Sequence, residues 1–480
     1  MAPEDLECDY LVVGAGAMGM AFTDTLVAET QGHSVIIADK RSQPGGHWND
    51  AYPYVRLHQP SHYYGVNSRR LEQGPPPSSA EEMAELASGL EVATYFRRVL
   101  EGLVATGRVR FMPTCEAVEG GRRLVSMLEP GRSWQVTVRR KVVDATYMRV
   151  EVPATRSPSY AVESGALVVP PNRLPAIACP HPLYVVIGSG KTGIDAVLWL
   201  LRHGVTPERL LWVMPRDAWL LNRAHIQPGR VVQRAAAVTA EVEAVEAEVQ
   251  AAKLDRADAQ LLAHERVGVF MRLDKSRWPE AFRCATVSPA EFAELQRVDR
   301  VVRLGHVREV GKERLLLDGG EVHTGEGTLH VDCTADALAR RPAVPIFSEK
   351  NITLQSVQMC QQVFSAALLA HLEAKWPNDD QKKNRICVPV PHPDSTGDFA
   401  TCRELTERNM RACFANGLGW WLWRSRLWSM HHERVLPSLW EAAKAAWQMR
   451  RLRRNRKASQ SAPGAAASAN VGTLPPPAKL

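Results

Sequence analysis

Apolar residues fall along this chain in two rhythms, and each change of rhythm marks where an element begins. Tyr10-Leu-Val-Val13 is a short unbroken apolar run of the kind a doubly covered parallel strand needs. After a glycine-rich turn the spacing becomes helical over Met20 to Val27, and Ser34-Val-Ile-Ile-Ala38 returns to a strand, which completes a β-α-β unit. The same succession recurs downstream: strand Leu183-Tyr-Val-Val-Ile187, glycines, a helix over Gly193 to Leu201, then strand Leu210-Leu-Trp-Val213. The duplication carries more weight than either copy alone.

Between the two units, Ala80 to Thr106 has helical periodicity around Tyr95 and Phe96, and Val109-Arg-Phe111 and Trp134-Gln-Val-Thr-Val138 read as strands. Val231 to Glu265, rich in Ala, Glu, Val and Gln with few breakers, predicts a long helix inserted in the second unit. Strands resume over Arg300 to Leu317 and at Val331-Asp-Cys-Thr-Ala335, and Phe364 to Glu373 reads as a helix that returns to the first unit. The expected fold class is α/β: two Rossmann-like dinucleotide-binding domains, the second inserted in the first, with a helical C-terminal extension. The expected boundaries are 1–150 and 336–375 for the first domain and 151–335 for the second, with its helical insertion at 231–265. A Trp- and Arg-rich helical extension comes next at 376–457, then a tail at 458–480 of Ala, Ser, Pro and Gly that is expected to be disordered.

The glycines supply the first chemistry. In Gly14-Ala-Gly16-Ala-Met-Gly19 the first glycine permits a tight turn, the second lets backbone amides approach a pyrophosphate, and the third lets helix pack on strand. Phosphate charge then sits at a helix N-terminus. Asp39, with Lys40 beside it, stands at the end of the next strand, where a carboxylate accepts hydrogen bonds from a ribose hydroxyl. Gly188-Ser-Gly190-Lys191-Thr192-Gly193 repeats the spacing. Its Gly-Lys-Thr run resembles the end of a triphosphate loop, but that loop's leading glycine would fall at Val185, inside the strand. The strand after this loop's helix ends in Pro215-Arg216-Asp217. Arg216 suits a 2'-phosphate and favours NADPH; Asp217, displaced by one position, suits a plain ribose and is the counter-signal.

Gly45-Gly46-His47-Trp48, together with Tyr52-Pro53-Tyr-Val-Arg56-Leu-His58-Gln59-Pro60-Ser61-His-Tyr63-Tyr64, resembles the flavin-contact segment of class B flavin-containing monooxygenases. The resemblance spans Asp9 to Glu373 and is specific at the glycine loops and this segment. It implies that FAD binds at the first loop, with Gly45, Gly46 and Trp48 lining it, and that the turn after Arg56 approaches the isoalloxazine ring. Val143-Asp-Ala-Thr146 and Asp332-Cys-Thr-Ala335 are similar to the family's strand-end Ala-Thr-Gly crossings but lack the final glycine. The family's F-x-G-x-x-x-H is absent between the domains, and His58 stands where related Baeyer-Villiger enzymes carry an aspartate. Those departures set oxygen activation apart from flavin reduction. The expected chemistry is FAD- and NADPH-dependent oxidoreduction of a small organic substrate, monooxygenase-like. A reductase or dehydrogenase without oxygen activation and a non-catalytic nucleotide-binding, membrane-associated protein stand as alternatives. Arg56, His58 and Gln59 are the candidate catalytic residues, able to position a nicotinamide, relay a proton or stabilise charge. Trp219 to His225 either lines the substrate cleft or packs over the adenine.

Composition narrows the picture. The net charge of +7 is concentrated, since Arg424 to Lys457 holds ten Lys or Arg against two Glu, so the charge gives no footing for nucleic acid over the rest of the chain. In that region six tryptophans, Trp420 to Trp447, alternate with arginines and end in the cluster Arg450 to Lys457. Packing on an apolar protein surface, peripheral membrane contact and nucleic-acid binding compete there, in that order. The nine cysteines are dispersed without a C-x-x-C, which predicts free thiols and excludes a clustered zinc site; no metal is expected. With no signal peptide and no long uncharged apolar run, a cytoplasmic location is expected, with Ala478-Lys479-Leu480 as a peroxisomal address in a eukaryote. Nothing in the sequence sets the oligomeric state.

Overall fold

The computed structural model describes residues 4–75, 82–228, 244–245, 256–335 and 341–428. The first apolar run becomes β1 (Glu4–Val13), and the first sheet grows from it with β2 (Val35–Ala38), β3 (Val109–Met112), β4 (Cys115–Val118), β5 (Arg123–Ser126) and β6 (Ser133–Asp144). The order is β3-β2-β1-β6-β5-β4. Strands β3, β2, β1 and β6 run parallel, and β5 and β4 fold back antiparallel.

The chain then leaves this sheet and builds three more. Their strands are β7 (Ala161–Val162), β8 (Leu167–Val169), β9 (Tyr184–Ile187), β10 (Leu210–Val213), β11 (Ala218–Asn222), β12 (Phe270–Met271), β13 (Ala281–Val287), β14 (Val301–Val302), β15 (Val307–Val310), β16 (Arg314–Leu317), β17 (Gly320–His323) and β18 (Leu329–Asp332). The second Rossmann-like sheet is wholly parallel, in the order β14-β10-β9-β18-β8, while β12-β11-β13 and β17-β16-β15-β7 form small flanking sheets. Each residue of β9, β10 and β18 is buried, as a parallel strand covered on both faces requires. Finally β19 (Asn351–Thr353) pairs parallel with Val142 to Asp144 of β6. The second domain is thus inserted in the first.

Helices lock this insertion. α1 (Ala17–Glu29) is buried from Met18 to Val27, polar Thr23, Asp24 and Thr25 included. Its outer side has no solvent to face because the returning helix packs along it. α2 (Gly89–Ala105) begins later than its apolar period suggests, because Ser88 and Glu91 form a capping box that fixes the start. In the second domain lie α3 (Lys191–Arg202), α4 (Arg256–Arg266) and α5 (Pro289–Leu295); of the long helix expected over 231–265, the part before Arg256 lies outside the described residues except 244–245. The returning helix is α6 (Gln362–Lys375), and α7 (Asp380–Ile386), α8 (Thr396–Ala415) and α9 (Gly419–Arg424) belong to the helical extension. The basic cluster 450–457 and the tail lie outside the described residues. No described helix is long and apolar enough to cross a membrane.

A buried ionic cluster secures α6. Glu373 accepts from Tyr10 (3.0 Å) and pairs with Lys383 and Lys141, while Asp380 pairs with the same two lysines. Two cations face two carboxylates, so no buried charge is left without a counter-charge. The expectation of dispersed free thiols is corrected at one place: Cys284 and Cys360 form a disulfide, joining β13 to the segment before α6. Spacing gives no hint of it, because the two are 76 residues apart.

Candidate dinucleotide sites

The two glycine loops have the same construction. Gly14 (φ +105°) and Gly188 (φ +119°) turn the chain out of β1 and β9 in a region that favours glycine. A Cβ on Gly19 would overlap the carbonyl oxygen of Gly14, and one on Gly193 would overlap that of Gly188, so the third glycine in each loop is demanded by helix-strand packing. The middle glycines face open space. A Cβ on Gly190 would meet nothing within 4 Å, and one on Gly16 only the Cα of Gly46 at 3.8 Å. Even the crossings match: Gly14 lies against Ala145 and Thr146, Gly188 against Cys333. Asp144 and Asp332 each accept hydrogen bonds from the backbone and hydroxyl of the threonine two residues on.

Each loop sits at the carboxyl ends of parallel strands, where open α/β sheets bind ligands. Helices α1, α3 and α6 begin without a side-chain cap or an acid in the first turn, whereas α2 and α5 carry capping boxes. Their first N–H groups have no intrahelical partner and suit an anion.

At the first loop, Gly45 (φ +110°) and Gly46 (φ +59°) let the next turn close over Gly16, and Gly45 N–H donates to the Ala15 carbonyl (2.9 Å). Asp39 is buried; its two oxygens accept from Ala15 N–H (2.6 Å) and Arg41 N–H (2.8 Å), so the strand-end acid also shapes the loop. Lys40 points away, to Glu116 at the surface. Trp48 donates its indole N–H to Tyr64 (2.7 Å), and burial pushes neighbouring His47 down to about 4. Just past the carboxyl end of β19, the Ser356 hydroxyl and the Gln361 side-chain carbonyl are buried without a hydrogen-bond partner among the described residues. Open glycines, uncapped helices and these polar atoms fit a dinucleotide with a polar ring system.

The segment after Trp48 crosses to the second domain. Tyr52 donates to Asp195 (2.7 Å), which also takes Lys191, and Tyr54 lies against Trp199. His58 is half-buried, its Nδ1 has no partner among the described residues, and its carbonyl accepts from Arg223 (2.9 Å). Burial, with the charges of Lys191 and Arg223 close by, pushes its imidazole down to about 3. His58 is therefore neutral at neutral pH. Gln59 and Thr192 are half-buried. Arg56 is apart from the group: it is exposed and donates to the Leu86 carbonyl (2.9 Å). Trp219 is fully buried on β11, in a small core with Phe270 and Phe282.

At the end of β10 both candidate selectors are engaged. Arg216 makes a two-pronged pair with Asp394 (2.8 and 3.1 Å), and Arg283 binds the same carboxylate (2.7 Å). Burial alone would raise the Asp394 carboxyl; the two arginines outweigh it and hold it down to about 2. Asp217 is bound on both oxygens by Arg303 (2.8 and 3.1 Å). Sequence reasoning misses Asp394, Arg283 and Arg303. It also misses Arg426, which donates to the carbonyls of His62, Tyr64 and Val66 and so clamps the turn that holds Trp48.

Residues 12–71 match the model of the NAD(P)-binding Rossmann-like domain family, the stretch that contains the first loop and Gly45 to Tyr64. Uncharacterized protein Rv2000 of Mycobacterium tuberculosis and uncharacterized protein Mb2023 of Mycobacterium bovis are each 46% identical over 401 residues, covering 82% of this chain and 72% of theirs. Among solved structures, cyclohexanone monooxygenase with epsilon-caprolactone bound is similar with a TM-score of 0.50 at 12% identity, over 86% of this chain and 98% of that one. At that identity the likeness is one of fold. The chain belongs to the family of these mycobacterial proteins, and its fold is similar to that of cyclohexanone monooxygenase.

Proposed function

We propose that this chain is an FAD- and NADPH-dependent oxidoreductase of monooxygenase type that acts on a small organic molecule. One observation carries the reading: two glycine loops with the same steric pattern, each at the carboxyl end of its own parallel sheet, joined by the segment Tyr52 to His58. FAD is held at Gly14, Gly16 and Gly19, with Asp39 on the ribose and the Gly45 to Trp48 turn over the cofactor. NADPH is held at Gly188, Gly190 and Gly193, with Arg216 and Arg283 on the 2'-phosphate. Bound FAD supplies hydride acceptance and onward transfer to an acceptor. The chain's residues supply position and charge. Tyr52 and Lys191 fix Asp195, and neutral His58 offers its unpartnered Nδ1 between the domains.

The missing F-x-G-x-x-x-H supports a second reading, a reductase that does not activate oxygen. Purified full-length protein with flavin absorbance that NADPH bleaches under nitrogen is the expected result. Colourless protein that takes up no added FAD would overturn both readings. In air, NADPH consumption that is matched mole for mole by hydrogen peroxide with each small substrate tried would sink the monooxygenase and leave the reductase.

A further inference from the structure

Eight of the nine cysteines are accounted for by burial or by the bond to one another, and two of them differ from the rest. Cys8, Cys115, Cys333, Cys387, Cys402 and Cys413 are free and buried, and burial pushes the thiols of Cys8 and Cys402 up to about 11 and about 12. Thiols of that kind resist oxidation. Cys360 is half-buried, its Sγ is 4.0 Å from Nδ1 of His392, and it is bonded to Cys284 across a Cα separation of 6.8 Å.

The position of this pair gives it something to control. Cys284 comes directly after Arg283 on β13, and Cys360 precedes Gln361 at the start of α6 on the first-domain side. The strap from His392 to Thr396 lies along β13: Phe282 N–H donates to the Asp394 carbonyl (3.0 Å), Ala281 bridges Ser395, and Thr396 N–H donates to the Glu280 carbonyl. The same strap contributes His392 to Cys360 and Asp394 to Arg216 and Arg283. We infer that Cys284 and Cys360 form a peroxide-responsive dithiol switch that, when oxidised, locks Asp394 onto Arg216 and weakens NADPH binding. The effect on NADPH rests on the cofactor assignment proposed above; the oxidation of the pair does not.

The chemistry balances. Cys360 gives its proton to His392 and its thiolate attacks one oxygen of hydrogen peroxide; an S–O bond forms, the O–O bond breaks, and the hydroxide leaving takes the proton as water. Cys284 then attacks the Cys360 sulfur, an S–S bond forms, the S–O bond breaks, and a second water leaves with the Cys284 proton. Two thiols lose two electrons, and one peroxide is reduced to two waters. A dithiol reductant returns both cysteines to thiols by exchange and becomes a disulfide itself.

The test uses the full chain, reduced with dithiothreitol, desalted, and treated with a small excess of hydrogen peroxide. Alkylation in denaturant and then intact mass should show nine modified thiols before peroxide and seven after, with peptide mapping placing the bond between Cys284 and Cys360. Cys284→Ser should keep Cys360 as a sulfenic acid that dimedone traps, and Cys360→Ser should keep eight alkylatable thiols throughout. Nine labelled thiols after peroxide, or a bond mapped to Cys387 and Cys413, would overturn the switch. Titrated with NADPH, the oxidised chain should show a Kd at least fivefold above the reduced chain, and Asp394→Asn should abolish that difference; equal Kd values in wild type would overturn the regulatory role. Absence of NADPH binding in both states would instead refute the cofactor assignment, and the thiol count would still decide the pair.

Discussion

The first and second dinucleotide loops are alike in their glycines and unlike at the strand ends beside them. At the first, the strand-end acid Asp39 accepts one backbone N–H on each oxygen and pairs with no cation among the described residues. At the second, Arg216 and Asp217 are both held in ion pairs with residues from elsewhere in the chain. The shared part is steric and local. The part that differs is electrostatic and long-range, and on the proposed reading it is the part that would choose the cofactor.

The strongest way to break the comparison is to test whether the glycines are equivalent. Gly19→Ala and Gly193→Ala each drive a methyl into the carbonyl oxygen of the loop's first glycine, and each should cost on the order of 3 kcal/mol or more, read as a fall in denaturant midpoint. Gly190→Ala meets nothing, so its stability should stay within about 1 kcal/mol of wild type, set by helix-start preference alone, while NADPH affinity falls. If Gly193→Ala proves harmless while Gly19→Ala unfolds the protein, the loops are not built alike.

Next in size is the response of the second site to its own selectors. Arg216→Ala should weaken NADPH by roughly 10- to 100-fold, the worth of a charge-assisted two-pronged contact, and NADH by far less. Asp394→Asn removes the carboxylate that occupies Arg216 and Arg283 and should strengthen NADPH several-fold, measured by fluorescence titration. Parallel losses for both nucleotides in Arg216→Ala would show that Arg216 does not read the phosphate.

Legibility in the sequence divides along the same line. The glycine spacing, Asp39, the strand runs and the helix α6 are readable because each depends on neighbours within a few residues or on a period. Asp394 is not, since it meets Arg216 at a separation of 178 residues and Arg283 at 111. Arg426 clamps Tyr64 from 362 residues away. A basic, tryptophan-rich region gives a compositional signal there, but its described part uses Arg426 to hold a turn of the first domain and buries Trp428, an internal role that charge counting does not reveal. Asp24 is a further case: a helix in an apolar period hides a buried carboxyl, raised by burial and held by Ser68.

Acid should separate the two sites. The Asp394 carboxyl is held at about 2 against an ordinary value of 3.8, so its stabilising contribution is full above pH 4 and is lost as pH falls from 4 through 2. The linkage amounts to about 2 kcal/mol at most, because the carboxyl is partly solvent-screened. A difference of that size between wild type and Asp394→Asn in urea melts at pH 6, shrinking towards pH 3, is expected; a gap that is unchanged at pH 3 would mean that the ion pairs do not form in solution.

The smallest expected effect probes Asp217, the residue that could have made the second loop resemble the first. Each of its oxygens accepts from Arg303, which also lies 3.5 Å from Asp274, so its charge is already balanced by a guanidinium and it is a weaker acceptor for a ribose hydroxyl than an unpaired carboxylate. Arg303→Gln keeps much of the side-chain volume but withdraws the charge, leaving Asp217 an unpaired carboxylate three residues beyond Met214, which occupies the position of Asp39 in the first loop. NADH should then bind a few-fold more tightly, under about 1 kcal/mol, since a hydrogen bond to a charged acceptor is offset by the loss of the ion pair. NADPH should bind a few-fold more weakly, because the released carboxylate repels the 2'-phosphate. Opposite movement of the two affinities is the signature to look for in paired titrations: it would convert the second loop towards the first by one substitution, whereas movement in the same direction would mean that Arg303 supports the loop and leaves nucleotide choice to Arg216.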